Sequence, residues 1–256
     1  MARREKLRAL VLSRKDINEA DRLITLFSRP YGIIRVMAKG VRRIPSRRGG
    51  HLEPLTEVLC IVTGSEGRRY LAAAETENEY SQLHANDEAI SHMSMLVRAL
   101  MGFFREEEPR EELFDAFCQA CDLLPTLPSH KKDALEIALM LVMLRQSGIF
   151  PALKACTECG QGQPVEAVVL DASVGGWRCL SCHQSFQGTH ASLPIRLLKA
   201  LRWLGDYPHR ALMLRFEPLE SRQLLVAVRS YVETAAEMPL KPNWNHNQTL
   251  ASQNYA

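Results

Sequence analysis

Four cysteines at 156, 159, 179 and 182 are spaced C-x2-C-x19-C-x2-C, in the segments CTEC and CLSC. Each pair presents two thiolates from one short turn, and two such turns complete a tetrahedral set for one zinc ion. Four thiolates leave no position for water or substrate, so the spacing predicts a structural ion and argues against metal-activated hydrolysis. Such an ion contributes on the order of 10 kcal/mol to ordering the segment that carries it. His183, beside Cys182, offers a further ligand, but four cysteines suffice. A third pair, Cys118 and Cys121 in CQAC, has redox spacing. It falls inside a helical pattern beside Asp115 and Asp122, where nothing lowers a thiol pKa, and reads as small core residues.

A second chemistry is written in KGVRRIPSRRGGH, residues 39–51, which holds Lys39, Arg42, Arg43, Arg47 and Arg48 and no acid. A solvated face normally interleaves acids to limit self-repulsion. Five cations on a loop with Pro45 and two glycines suit a flexible run of phosphates. The first fifty residues carry fourteen Lys and Arg against four acids, although the whole chain is only +3. The charge is therefore polarised, and a polyanion is the expected partner. Arg14, Arg22 and Arg35 complete the candidate DNA-binding set, with Arg3, Arg4, Lys6, Arg8 and Lys15 as extensions. Phe27, Tyr31 and Tyr70 are the sparse candidates for base stacking, so binding should be mainly electrostatic.

Enzymatic readings find little support. Glu75, Glu77 and Glu79 alternate and would share one face of a strand, as carboxylates gathering magnesium might, but a solvated edge explains them equally. The run EEEPREE at 106–112 reads as an exposed loop and helix start. No HExxH, GxxxxGK[ST], GxSxG or strand-linked GxGxxG is present.

The elements that must carry these groups change period near Tyr80. Residues 6–12, 22–28, 32–38, 54–62 and 68–78 read as strands separated by turn residues, which suits a small closed barrel of the OB kind. Beyond, helical spacing starts at Asn86 or Asp87, after Pro109, at Ser129 or His130, and over 193–205 and 219–237. The longest apolar run, Ala138–Leu144, lies between Glu136 and Arg145 and is too short for a bilayer. No secretory pattern follows the basic N-terminus, and a cytoplasmic location is expected. The fold class is α+β multidomain: an N-terminal five-stranded OB-type barrel (1–80), a helical domain in two parts (81–149 and 191–240), a four-cysteine zinc-binding insert (150–190) and a polar tail (241–256) that lacks the apolar content to order itself.

Several segments then fall into a known order. VLSRKDINEADRLITLFSRPYGIIRVMAKGVRRIPSRRGGHLEPL with Glu19, Asp21, Arg22 and Leu23, the turn Lys39–Arg43 with Ser46 beyond, YLAAAETENEY around Glu75, and Phe150-Pro151 leading into CTEC together resemble the bacterial RecO family of recombination mediators, over about residues 5–240. The resemblance implies an OB domain, a helical domain and a zinc-binding insert. It further implies a non-enzymatic activity: binding single- and double-stranded DNA, annealing strands coated with single-stranded DNA-binding protein, and working with RecR, and usually RecF, to load RecA. It also implies that the helical domain holds the acidic, hydrophobic C-terminal tail of the single-stranded DNA-binding protein. Arg145 and Arg202, beside apolar helix faces, are the candidates for that contact. The rival readings are an OB and zinc-ribbon module acting on RNA or in transcription, and a nuclease built on the Glu75, Glu77 and Glu79 face.

Overall fold

The computed structural model describes residues 4–41, 52–65, 67–162, 167–183 (of His183 the backbone only) and 192–237. Strands β1 (Arg4–Asp16), β2 (Arg22–Ser28), β3 (Gly32–Ala38), β4 (Glu57–Ser65) and β5 (Arg68–Asn78) close in the order β1-β2-β3-β5-β4, with β4 returning to β1. The β3–β5 pair is parallel and the others antiparallel, which gives the expected OB-type barrel. Its core follows the two-residue period: Leu7, Ala9 and Val11 of β1 face Ile24, Leu26, Ile34, Val36, Val58 and Cys60.

β1 is longer than its apolar run because a bulge between Val11 and Ser13 lets it bend and continue. At that bulge the Val11 N–H donates to the Thr56 carbonyl (2.9 Å) and the Leu55 N–H to the Val11 carbonyl (2.7 Å). Leu55 turns there at φ 61°, so β4 starts at Glu57 rather than at residue 54.

The chain forms two compact units that interleave along the sequence. The first holds the described residues up to Ile90 together with Phe104–Pro125; the second holds Ser91–Phe103 and those from Thr126 onward. Helices α1 (Ser81–His84) and α3 (Glu111–Leu123) thus belong with the barrel. The apolar stripe of α3 explains its place: Phe114 and Phe117 meet Phe27 edge-on at 5.6 Å each. Phe27 is 1% exposed in consequence, so this stacking candidate is core. Cys118 and Cys121 are buried in the same layer, and burial pushes the Cys118 thiol up to about 12, as small core residues require.

Helix α2 (Asp87–Phe103) is capped by the Asn86 side chain, which accepts the Ala89 N–H at 3.0 Å. In the second unit α4 (Ser129–Gln146) is buried almost all round, including Asp133 and Glu136. Those acids are satisfied: Arg229 forks onto Glu136 at 2.7 and 2.6 Å, His92 Nδ1 lies 2.5 Å from Glu136, and Ser221 donates to Asp133 at 2.7 Å. Helices α6 (Ile195–Asp206) and α7 (Pro218–Ala235) complete the helical layer. The insert is a small sheet, β7-β6-β8, of β6 (Val168–Asp171), β7 (Gly176–Cys179) and β8 (Ser192–Leu193), with the one-turn α5 (Leu180–His183) after β7. Among the described residues no helix is long and apolar enough to cross a membrane.

Candidate nucleic-acid interface and metal centre

The β6–β7 hairpin brings the two cysteine pairs together. The Sγ atoms of Cys156, Cys159, Cys179 and Cys182 all lie within 4.8 Å of one another, with Cys156 and Cys159 at 3.9 and 3.8 Å from Cys179. Four sulfurs at about 2.3 Å from a tetrahedral ion stand roughly 3.8 Å apart, so two of these separations already match and shifts of about 1 Å or less let the cluster hold one metal ion. The Cys179 N–H points at Cys156 Sγ (3.4 Å) and the Gly160 N–H closes the first turn on the Cys156 carbonyl (3.0 Å). Hydrogen bonds from Ser181 and the Cys182 backbone hold the Cys179 thiol down at about 6. Hydrogen bonding to Cys179 pushes Cys182 up to about 12.

Of the basic segment, Lys39 is described; Arg42, Arg43, Arg47 and Arg48 lie outside the described residues. Its root is fixed by the turn between β1 and β2. Asn18 Oδ1 accepts the N–H groups of Ala20 and Asp21, and Asp21 Oδ1 in turn accepts the Gly40 N–H at 2.7 Å. Asp21 is thereby given a physical role that charge counting missed. The exposed Lys39 lies 5.0 Å over the Tyr70 ring.

The other three described members of the candidate set carry counter-ions. Arg14 pairs with Glu53, Arg22 with Asp16 at 2.7 Å, and Arg35 with Glu106 at 2.8 Å. The run at 106–112 is more than an exposed loop, because it supplies acids to the barrel: Glu107 forks onto Arg69 at 3.1 and 2.7 Å, while Glu111 and Asp115 meet Arg29 at 2.6 and 3.2 Å. Gly32, at φ 68°, lets this segment approach, since a Cβ there would stand 1.9 Å from the Glu108 carbonyl oxygen. Tyr31 is occupied by Arg69 over its ring (4.5 Å) and by its hydroxyl bond to Glu5 (2.6 Å), and Tyr70 is half-buried with Lys39 over its ring. Glu75, Glu77 and Glu79 are exposed, and among the described residues the four cysteines form the only cluster suited to a metal ion.

Arg145 and Arg202 line one cavity of about 680 Å³ with Phe150, Lys154 and Asp206. Both also hold backbone in place. Arg202 donates to the carbonyls of Leu153 (2.6 Å), Lys154 (3.1 Å) and Gly162 (3.3 Å), whereas Arg145 donates to that of Gly205 (2.5 Å) and lies 4.3 Å over Phe150.

Two family models cover the chain: Recombination protein O N terminal matches residues 1–80 and Recombination protein O C terminal matches residues 86–243. Among curated relatives, a DNA repair protein RecO from Bifidobacterium animalis is 31% identical over 241 residues, covering 91% of this chain and 95% of that protein. Relatives of the same name from Pelotomaculum thermopropionicum (27% over 237 residues; 92% and 91% covered) and Anaeromyxobacter dehalogenans (30% over 207; 79% and 80%) agree. On these matches, over a barrel, a helical region and a four-cysteine cluster, the chain belongs to the RecO family of DNA repair proteins.

Proposed function

We propose that this protein is a recombination mediator without catalytic residues: it binds single- and double-stranded DNA and anneals complementary strands coated with single-stranded DNA-binding protein. With RecR and RecF it promotes loading of RecA in the cytoplasm. The observation that carries this reading is the contrast between paired arginines on the barrel and an acid-free basic segment with an anchored root. Arg14, Arg22, Arg29, Arg35 and Arg69 have carboxylate partners, while residues 39–51 hold five cations and no acid on a root fastened by Asp21. Such a segment contacts phosphates and reads no bases, which is what screening two polyanionic strands requires. Lys39, Arg42, Arg43, Arg47 and Arg48 are the main contacts, and Arg14, Arg22 and Arg35 contribute where phosphate displaces their acids.

The four cysteines hold one structural zinc ion, which supplies rigidity to the insert and no reaction step. The cavity of Arg145, Lys154 and Arg202 around Phe150 suits an acidic peptide ending in apolar residues, the chemistry of the single-stranded DNA-binding protein tail.

The test compares wild type with Arg42→Ala, Arg43→Ala, Arg47→Ala and Arg48→Ala combined, in annealing of protein-coated complementary oligonucleotides. Loss of annealing in a folded variant supports the reading. Equal annealing by both proteins, or none by the wild type, defeats it.

A further inference from the structure

The barrel is poor in accessible aromatic surface, yet the second unit displays a row of it beside cations. Along α6, Leu197, Leu198, Leu201 and Leu204 face the core. The opposite side carries Lys199 and Trp203 one turn apart, and Tyr207 follows as the C-cap residue just past the helix end at Asp206. Trp203 and Tyr207 stand 5.7 Å apart with their planes tilted by 45°. His209 meets Tyr207 at 6.5 Å, and the Arg210 guanidinium lies 5.4 Å from the Tyr207 ring. Tyr207 is 43% exposed, and Lys199, His209 and Arg210 are exposed with it.

This row is held stiffly. The Tyr207 N–H closes α6 on the Trp203 carbonyl (2.8 Å), and the Arg210 N–H closes the next turn on the Tyr207 carbonyl (3.0 Å). Lys131 then donates to the carbonyls of Leu212 and Leu214, both at 2.6 Å. Gly205 sits so tightly on Phe150 that a Cβ would lie 2.7 Å from that ring. A preset platform loses little entropy on binding.

We propose that Lys199, Trp203, Tyr207 and Arg210 form a second, stacking site for single-stranded nucleic acid, separate in chemistry from the phosphate-binding barrel loop. This rests on the DNA-binding reading above and deepens it. Rings flanked by cations at both ends match what an unpaired strand offers, exposed base faces and a phosphate every nucleotide. From Lys199 to Asp206 the helix rises about 10 Å, and Tyr207 follows at its C-cap. At about 3.4 Å per stacked nucleotide, the row fits roughly three. Duplex bases are hidden in their stack, so this site selects unpaired strand, which the barrel charges cannot do.

Trp203 reports on the proposal directly. Full-length protein is titrated with oligothymidylate and with duplex of equal length, alongside Trp203→Phe, the folded double variant Tyr207→Ala with Arg210→Ala, and the barrel-loop quadruple alanine. Oligothymidylate should quench a fluorescence component that Trp203→Phe lacks, and duplex should not. The double variant should bind oligothymidylate roughly five- to a hundredfold more weakly while duplex binding is kept. The barrel-loop variant should retain the quenching at higher strand concentration. Unchanged strand affinity in the double variant, with no Trp203 quenching, overturns the stacking site while leaving the barrel reading intact if the loop variant loses binding. Absence of any DNA binding by wild type removes both readings. Quenching by an acidic, apolar-ended peptide and not by oligothymidylate would make the row a protein-docking face and overturn the proposal.

Discussion

The Asp21 carboxylate accepts the backbone N–H of Gly40 at 2.7 Å, which ties the β1–β2 turn to the first residues of the basic segment. Gly40 stands at φ 67°, a left-handed conformation in which its N–H is turned toward Asp21 rather than along the strand. Replacing Asp21 by Ala should cost on the order of 1–3 kcal/mol, the worth of a hydrogen bond to a charged acceptor. It should also slow annealing several-fold by freeing the loop root. Asp21→Asn keeps the Oδ1 acceptor and should recover most of both. Urea denaturation and an annealing time course check the pair; equal behaviour of Ala and wild type would reject the anchor.

Salt dependence separates phosphate contact from other uses of the basic segment. If its five cations meet single-strand phosphates, raising salt from about 50 to 200 mM should weaken binding by roughly 100-fold, from a slope of about −0.7 per contact. Alanine at Arg42, Arg43, Arg47 and Arg48 should flatten that slope by nearly 3. Anisotropy titrations at four salt concentrations measure it, and an unchanged slope would show that these arginines do not touch the backbone.

Acid should loosen the acidic segment from the barrel. The Arg69 guanidinium, hydrogen-bonded to Glu107, holds that carboxyl below the usual carboxylate range. A carboxyl depressed in the folded state contributes stability that is complete above its unfolded pKa and is lost as pH falls through the lower folded value. Stability should therefore decline below about pH 4.5, and Glu107→Gln should remove part of that decline while lowering stability at pH 7. Denaturation midpoints from pH 3 to 7 test this. Parallel pH curves for the two proteins would assign the acid sensitivity elsewhere.

The cysteines should divide into two reactivity classes. Burial raises the thiols of Cys60 and Cys118 to about 12 and carries Cys121 upward as well, so these three should resist a thiol reagent until the fold opens. The four insert cysteines should be protected by metal and released by a chelator, with exposed Cys159 reacting first. Metal removal should loosen the insert and leave the barrel's melting unchanged. Rapid labelling of Cys118 or Cys121 in native protein would revive a redox role.

The alternation of Leu7, Ala9 and Val11 and the turns around them made the barrel readable, and the spacing of the cysteines made the metal cluster readable, because both depend on local periods and short turns. Pairing across long sequence gaps was not readable. Glu106, Glu107, Glu111 and Asp115 look like an exposed acidic run until α3 docks its phenylalanines on Phe27 and sets those carboxylates against Arg29, Arg35 and Arg69. Nor could spacing place α3 with the barrel, because its apolar stripe resembles that of any other helix. The Asp21–Gly40 bond links positions nineteen apart and leaves no periodic trace.

Arg145 and Arg202 illustrate how structural duty confounds a binding test. Arg202 donates to three carbonyls that shape the entry to the cysteine turn, and Arg145 pins Gly205, so charge reversal at either removes internal hydrogen bonds as well as any contact with a ligand. Such variants should lose stability whether or not a partner binds there, by about 1–3 kcal/mol each. Lys154 lines the same cavity and is exposed, so Lys154→Glu changes the cavity's charge at little structural cost. Affinity for an acidic, apolar-ended peptide should fall roughly tenfold in Lys154→Glu with an unaltered melting temperature, as expected for loss of a desolvated charge contact. If Arg145→Glu and Arg202→Glu weaken peptide binding only in proportion to their loss of folding, and Lys154→Glu binds normally, the cavity is a structural joint between α6 and the cysteine turn and the tail docks elsewhere.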